Sequence, residues 1–244
     1  MALLRQAQTS GQASDMTIET LNDYDLGGVD CPKCNNSGQI SYYRDGILYS
    51  HECECMDKRR SLRRIRNSGM TDLLSRYTFD SYKTPDENRL RIKISAERFA
   101  EEDSGWFYIA GQSGSGKTHI CTAICNRLIE RNRNVYYMAW RDESRSLKAN
   151  MNSDEIEEPL NRLKKVAVLY IDDFFKGGIS DPDIRLAFEI LNARYNDSKL
   201  RTIISTEIDI KKLLEIDEAL GGRVYERSRG HMFQAPKENW RLRG

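Results

Sequence analysis

From residue 86 onward, short unbroken apolar runs alternate with longer stretches in which apolar residues recur every three or four positions. The runs are 106–110 (WFYIA), 135–138 (VYYM), 166–171 (VAVLYI), 202–204 (TII) and 232–233 (MF). Runs this brief are too short for buried helices and predict buried strands. Between them, 118–131 has helical spacing, and 183–196 places Ile184, Ala187, Phe188, Leu191 and Tyr195 on one face. The segment 86–103 predicts a helix carrying Leu90, Ile94 and Phe99, and the charged stretch 141–163 predicts a helix broken at Pro159. Continuous apolar strands separated by helices form a parallel sheet covered on both faces, so the predicted fold class is α/β. Ligands of such sheets bind at the carboxyl ends of the strands.

The first 80 residues follow other patterns. Residues 1–30 are polar and acidic; Met16, Ile18 and Leu21 could make one or two amphipathic turns, and a flexible arm is the expectation. Residues 39–53 alternate apolar and polar positions around Asp45-Gly46, a strong hairpin-turn pair. Residues 57–67 predict a basic helix closed by Gly69, with Leu62 and Ile65 as a thin apolar stripe among Arg59, Arg60, Arg63, Arg64 and Arg66. The run 73–79 with Tyr82 and Pro85 leads into the main domain. The expected organisation is an acidic arm at 1–30, a small module at 31–57, a basic linker helix at 58–70 and an α/β domain at 71–244.

Charge and length narrow the partners. The net charge is only +1, but 1–57 carries −6 and 58–66 carries +6, so any nucleic-acid contact must use local patches. No apolar run nears the ~20 residues of a membrane helix, and the N-terminus lacks a signal-peptide core. A cytoplasmic protein without membrane attachment is expected.

Immediately after the first predicted strand, Gly111, Gln112, Ser113, Gly114, Ser115, Gly116, Lys117 and Thr118 match G-x-x-x-x-G-K-[ST]. Such a loop turns backbone N–H groups onto phosphate oxygens, while Lys117 reaches the β/γ-phosphates and Thr118 sits on Mg²⁺. The following helix adds its positive end, and His119 in its first turn is counted with the nucleotide site. Asp172 and Asp173 end the 166–171 strand, where a metal on a cradled triphosphate needs a ligand. Asp172 is assigned to the magnesium shell with Thr118, and Asp173 to orienting or deprotonating the attacking water. A pair of helix-capping acids is the plainer alternative.

Six cysteines form two groups. Cys121 and Cys125, four apart on the helix after the loop, read as core packing. Cys31, Cys34, Cys53 and Cys55 are a pair before and a pair after the hairpin, the arrangement of a small structural zinc site. His51 competes as fourth ligand; a disulfide or unused thiols are the alternatives.

Taken in order over about residues 31–235, the runs CPKCNNSGQI…CEC, KRRSLRRIR, GQSGSGKT, VLYIDDFF and TIISTEIDI resemble the AAA+ replicative helicase loaders of the DnaC/DnaI group. These occur in bacteria and phages and are related to the IstB transposition ATPases. The resemblance implies an AAA+ ATPase domain in which Lys117 and Thr118 match the Walker A pair and Asp172 and Asp173 the Walker B pair. Aspartate stands where most AAA+ proteins hold glutamate, which suits slow switching. The sensor segment appears as Ser205-Thr206-Glu207, with Glu207 in place of the usual asparagine and Ser205 or Thr206 as candidates. Residues 221–227 match the segment carrying the arginine finger, Arg227 first and Arg223 second, although either could pair with Asp217 or Glu218 instead. The stretch 141–163 lies where related initiators contact single-stranded DNA; its Arg141, Arg145 and Lys148 are diluted by six acids at 142–158. The chain's end at Gly244 implies that a lid-borne second sensor is missing, with Arg241 and Arg243 as a short basic tail.

The implied function is ATP-controlled loading of the replicative hexameric helicase. The arm and zinc module would bind the helicase, and the ATPase domain would self-associate through ATP and engage single-stranded DNA, with hydrolysis releasing the helicase. A transposase-partner ATPase should lack the cysteine module. A small-molecule kinase would need an acceptor pocket, and a zinc-stapled adaptor would hold ATP without turning it over.

Overall fold

The computed structural model describes residues 29–67, 71–151, 153 and 156–239. Met16, Ile18, Leu21, Gly69, Arg241 and Arg243 therefore lie outside the described residues, as do the side chains of Arg64, Ile65 and Arg66. The chain divides into Met1–Cys53 and Glu54–Gly244.

In the first unit, β1 (Gln39–Arg44) and β2 (Ile47–Glu52) form the antiparallel hairpin, in the register Tyr42↔Tyr49. Asp45 and Gly46 have φ of 53° and 77°, the left-handed pair of a tight hairpin turn. Both strands are exposed almost throughout.

The second unit opens with α1 (Cys55–Asn67), one residue pair earlier than the basic run suggested, and the short α2 (Thr71–Arg76). Ser61 Oγ on α1 accepts from Val135 N at 2.9 Å, and Arg59 is buried, so this helix lies against the sheet edge. Next come α3 (Glu87–Glu101), β3 (Trp106–Ala110), α4 (Lys117–Glu130), β4 (Val135–Ala139), α5 (Trp140–Ala149), α6 (Glu157–Lys165) and β5 (Val168–Phe174). The remainder is α7 (Asp181–Tyr195), β6 (Arg201–Thr206), α8 (Ile210–Ile216), α9 (Glu218–Arg227) and β7 (Met232–Gln234).

Five strands form one parallel sheet in the order β4-β5-β6-β3-β7. Its two apolar faces are the two parities of the strands. Phe107, Ile109, Val168, Tyr170 and Ile203 pack against α3 and α4 on one side. Trp106, Tyr108, Ala110, Leu169, Ile171 and Ile204 pack against α5 to α9 on the other. Burying both faces is what makes the strands read as unbroken apolar runs.

Two local expectations differ. Leu90 and Ile94 face solvent at 44% and 56% exposure, while Ile92, Ala96, Phe99 and Ala100 are buried on α3. Pro159 does not break a helix. It occupies the first turn of α6, where its missing N–H costs nothing, and the break lies before Ile156. No helix among the described residues is long and apolar enough to cross a membrane.

Candidate nucleotide site and cysteine cluster

Buried β3 delivers the chain to the loop 111–116, and α4 leaves it. Gly116 caps α4 with φ 94°, a left-handed conformation that glycine adopts without strain. A Cβ on Gly111 would stand 2.9 Å from Ala235 Cβ, so only glycine lets the loop pass the segment after β7. Lys117 Nζ donates to the carbonyls of Gly111 at 2.7 Å and Gln112 at 2.9 Å, and burial lowers its pKa. Ser115 Oγ is buried in the loop without a hydrogen-bond partner. A cavity of about 330 Å³ is lined by Ser113, Gly114, Gly116, Lys117, Thr118, Asp173 and Lys176 on the loop side. The other wall is made by Tyr77, Ser81, Tyr82, Lys83, Arg89 and His119.

His119 belongs to that wall. Its ring stacks on Tyr77 at 4.5 Å and meets Tyr82 edge-on at 5.2 Å. Nε2 lies 3.1 Å from both the Thr78 carbonyl and Ser81 Oγ, which ties the segment 77–82 to α4. Desolvation lowers the His119 pKa, favouring the neutral ring. Arg89, almost wholly buried, donates to the Ser115 carbonyl at 3.1 Å and to Glu238 Oε2 at 3.2 Å, bracing the loop from outside.

Strand β6 lies between β3 and β5 and brings the acids beside the loop. Asp172 is buried and accepts from Tyr170 OH at 2.7 Å, Tyr137 OH at 3.2 Å, Thr118 Oγ1 at 3.4 Å and, in a short contact, Ser205 Oγ. Ser205 Oγ also accepts from Asp173 N at 3.1 Å, and Thr206 Oγ1 donates to the Phe174 carbonyl at 2.8 Å. The Ser205 and Thr206 hydroxyls thus bind the β5 tip to its neighbour. Asp173 pairs with Lys176 at 2.8 Å. The donor set fits its ligand: an amide-lined glycine cradle, an ammonium, a hydroxyl and a carboxylate suit a nucleotide phosphate with a divalent cation.

Arg223 and Arg227 lie on α9, away from this cluster and engaged with their own chain. Arg223 donates to Asn192 Oδ1 at 2.9 Å and to the Ala219 carbonyl, and covers the Phe188 ring. Arg227 donates to the Asp197 carbonyl at 3.3 Å and lies over Trp106. Cys121 and Cys125 are buried in the core, and burial pushes both thiols up.

The thiols of Cys31, Cys34, Cys53 and Cys55 lie within 4.8 Å of one another, all buried. Cys31 Sγ and Cys53 Sγ are 3.8 Å apart. Four sulfurs about 2.3 Å from a tetrahedral ion would stand about 3.8 Å from each other, so the set can hold one. Gly38 N donates to Cys34 Sγ at 3.4 Å, the kind of contact that stabilises a thiolate. His51 is exposed on β2 against Tyr42, outside this group.

Tyr137, Tyr170, Arg89 and Lys176 are additions to the residues expected from sequence. Tyr170 was accessible in principle, because it precedes Asp172 by two on a strand and shares its face. Tyr137 reaches the same carboxylate only because it sits opposite Tyr170 in the β4–β5 register.

A parallel sheet with a glycine loop between β3 and α4 and an acid pair at the β5 tip defines a P-loop ATP-binding fold of the AAA+ class. Residues 34–240 match the family model described as IstB-like ATP binding protein, and the chain belongs to that family, in its DnaC/IstB-type AAA+ branch. It is 32% identical over 233 residues to Uncharacterized protein YqaM of Bacillus subtilis (strain 168), covering 89% of this chain and 71% of that one. It is 28% identical over 190 residues to Replicative helicase loader DnaC of Escherichia coli (strain K12), covering 75% and 76%. The crystal structure of DnaI matches with a TM-score of 0.57 and 26% identity, over 67% of this chain and 92% of that chain.

Proposed function

We propose that this chain is an ATP-dependent helicase loader of DNA replication, which binds a replicative hexameric helicase and single-stranded DNA and hydrolyses ATP to release the helicase. The observation carrying the ATP part is the convergence of Lys117, Thr118 and Asp173 on one cavity, with Asp172 accepting from Thr118 Oγ1 at 3.4 Å beside it. The partner follows from the likeness to Replicative helicase loader DnaC.

In this reading the loop amides and Lys117 hold the phosphates, with Lys117 leaving the Gly111 and Gln112 carbonyls to do so. Thr118 and Asp172 hold Mg²⁺, which neutralises charge on the phosphates when bound. Asp173 orients the attacking water, and Ser205 and Thr206 fix the acids' backbone. Arg227, or Arg223, serves the site of a second copy. Cys31, Cys34, Cys53 and Cys55 hold structural zinc, and the segments 1–30 and 31–57 carry the helicase contact, joined through 58–70 to the ATPase domain at 71–244.

The test is association with the cognate hexameric helicase. A complex that forms with ATP and dissociates on hydrolysis is the expected result; no association with or without ATP would sink the loader reading. The IstB-like match favours a second reading, the ATPase partner of a transposase. ATP-dependent association with a transposase and none with the helicase would select it.

A further inference from the structure

The turn after Asp172 adopts backbone that side chains rarely accept, with φ of 53° at Asp173 and 61° at Phe175. Such residues persist only where their surroundings over-determine them, and they concentrate at functional sites. Here the surroundings are aromatic. Phe174 and Phe175 are buried, stack on each other at 4.0 Å, and meet Trp140 edge-on at 4.9 Å and 5.3 Å. Lys176 N closes the turn onto the Asp173 carbonyl at 2.9 Å.

This pinned backbone presents one long, half-exposed cation to the nucleotide cavity. Lys176 lines the cavity with Lys117 and Thr118. Its Nζ lies 2.8 Å from Asp173 Oδ2 and 3.7 Å from Glu207 Oε1. Glu207 directly follows β6, at the position where the resemblance expects asparagine. The difference is chemical. An amide can donate to a phosphate itself, whereas a carboxylate only accepts and repels it, so a cation must stand between them.

We infer that Lys176, held at the cavity by Glu207, is the group that distinguishes a nucleoside triphosphate from a diphosphate. The inference rests on reading 111–118 as the ATP site. A third phosphate brings additional negative charge into a cavity where Asp173 already occupies Lys176. Two anions then compete for one ammonium, and a phosphate, with more charge and more acceptor oxygens, takes it. Asp173 is thereby released from its ion pair only when the triphosphate is bound. With a diphosphate Lys176 stays on Asp173. Glu207 acts as a positioning residue, keeping the ammonium at the cavity in both states.

Equilibrium binding of ATPγS and of ADP, each with Mg²⁺, to the full chain tests this. Lys176→Gln should weaken ATPγS about tenfold and leave ADP within about twofold, as expected for one lost charged contact. Lys176→Arg should keep most of the preference, and Glu207→Gln should lose part of it. Equal weakening of both nucleotides by Lys176→Gln, or an unchanged ratio, overturns the inference. Lys117→Ala separates the two levels, because it should abolish binding of both nucleotides. If the unaltered chain binds neither, or Lys117→Ala binds both normally, the ATP-site reading fails and this inference falls with it.

Discussion

Four hydroxyls meet on the carboxylate of Asp172, and they come from four different elements. Thr118 belongs to α4, Tyr137 to β4, Tyr170 to β5 and Ser205 to β6. A carboxylate gripped on both oxygens has its direction set before a metal arrives, and such outer contacts typically govern metal affinity about 10- to 100-fold. Tyr170 is the strongest candidate, since it is fully buried and its hydroxyl lies 2.7 Å from Oδ1. Tyr170→Phe should therefore raise the Mg²⁺ concentration for half-maximal ATPγS binding about tenfold. Nucleotide binding measured without Mg²⁺ should stay unchanged, which a merely loosened core would not leave intact. A Mg²⁺ dependence that does not move would show that Tyr170 packs and nothing more. Residue identity revealed the loop and the acids because their chemistry is tied to short spacings. Lys176 lacked such a sign, since a lysine after two phenylalanines gains meaning only once the turn at Asp173 folds it back.

At the scale of elements, what could be read from the chain depended on whether both sides of an element are buried. The central strands β3, β5 and β6 were plain because they are buried almost throughout, but α3 was misaligned. Leu90 and Ile94 imitate a core stripe and are exposed, while the small Ala96 and Ala100 complete the buried face. Pro159 misled for a related reason, because a proline ends a helix or begins one according to context beyond its neighbours. The hairpin shows the opposite limit. Among the described residues of the first unit, the buried apolar side chains are Val29 and three of the cysteines. Two strands open to water on both faces are marginal alone, and so small a unit needs a staple. If zinc is that staple, the purified chain should carry about one zinc per chain, and Cys34→Ser should lose it. In hydrogen exchange, β1 and β2 should then become unprotected while β3 and β5 keep their protection. A metal-free chain with a protected hairpin would refute the zinc assignment.

For the whole molecule, the open question is whether one copy can complete the site. The two arginines expected to act on phosphate lie away from the cavity and are occupied elsewhere on the chain. Arg223 stacks over Phe188, and Arg227 reaches the Asp197 carbonyl beside Trp106. Among the described residues neither is paired with Asp217 or Glu218, and the Asp217 side chain instead caps α9, accepting from Leu220 N at 2.7 Å. An arginine held by a carbonyl and a ring face gives up little on release, which suits a group that serves a second copy. If Arg227 acts in trans, Arg227→Ala should bind ATPγS normally and lose hydrolysis at least about tenfold. Lys117→Ala should fail for the complementary reason, having an intact arginine and no phosphate site. Mixing the two inactive variants creates junctions that pair the intact loop of one with the intact Arg227 of the other. Turnover should reappear on mixing and rise with total protein concentration. Absence of recovery, with both variants folded and forming mixed assemblies in the presence of ATP, would assign Arg227 to its own chain and remove the second copy from the site.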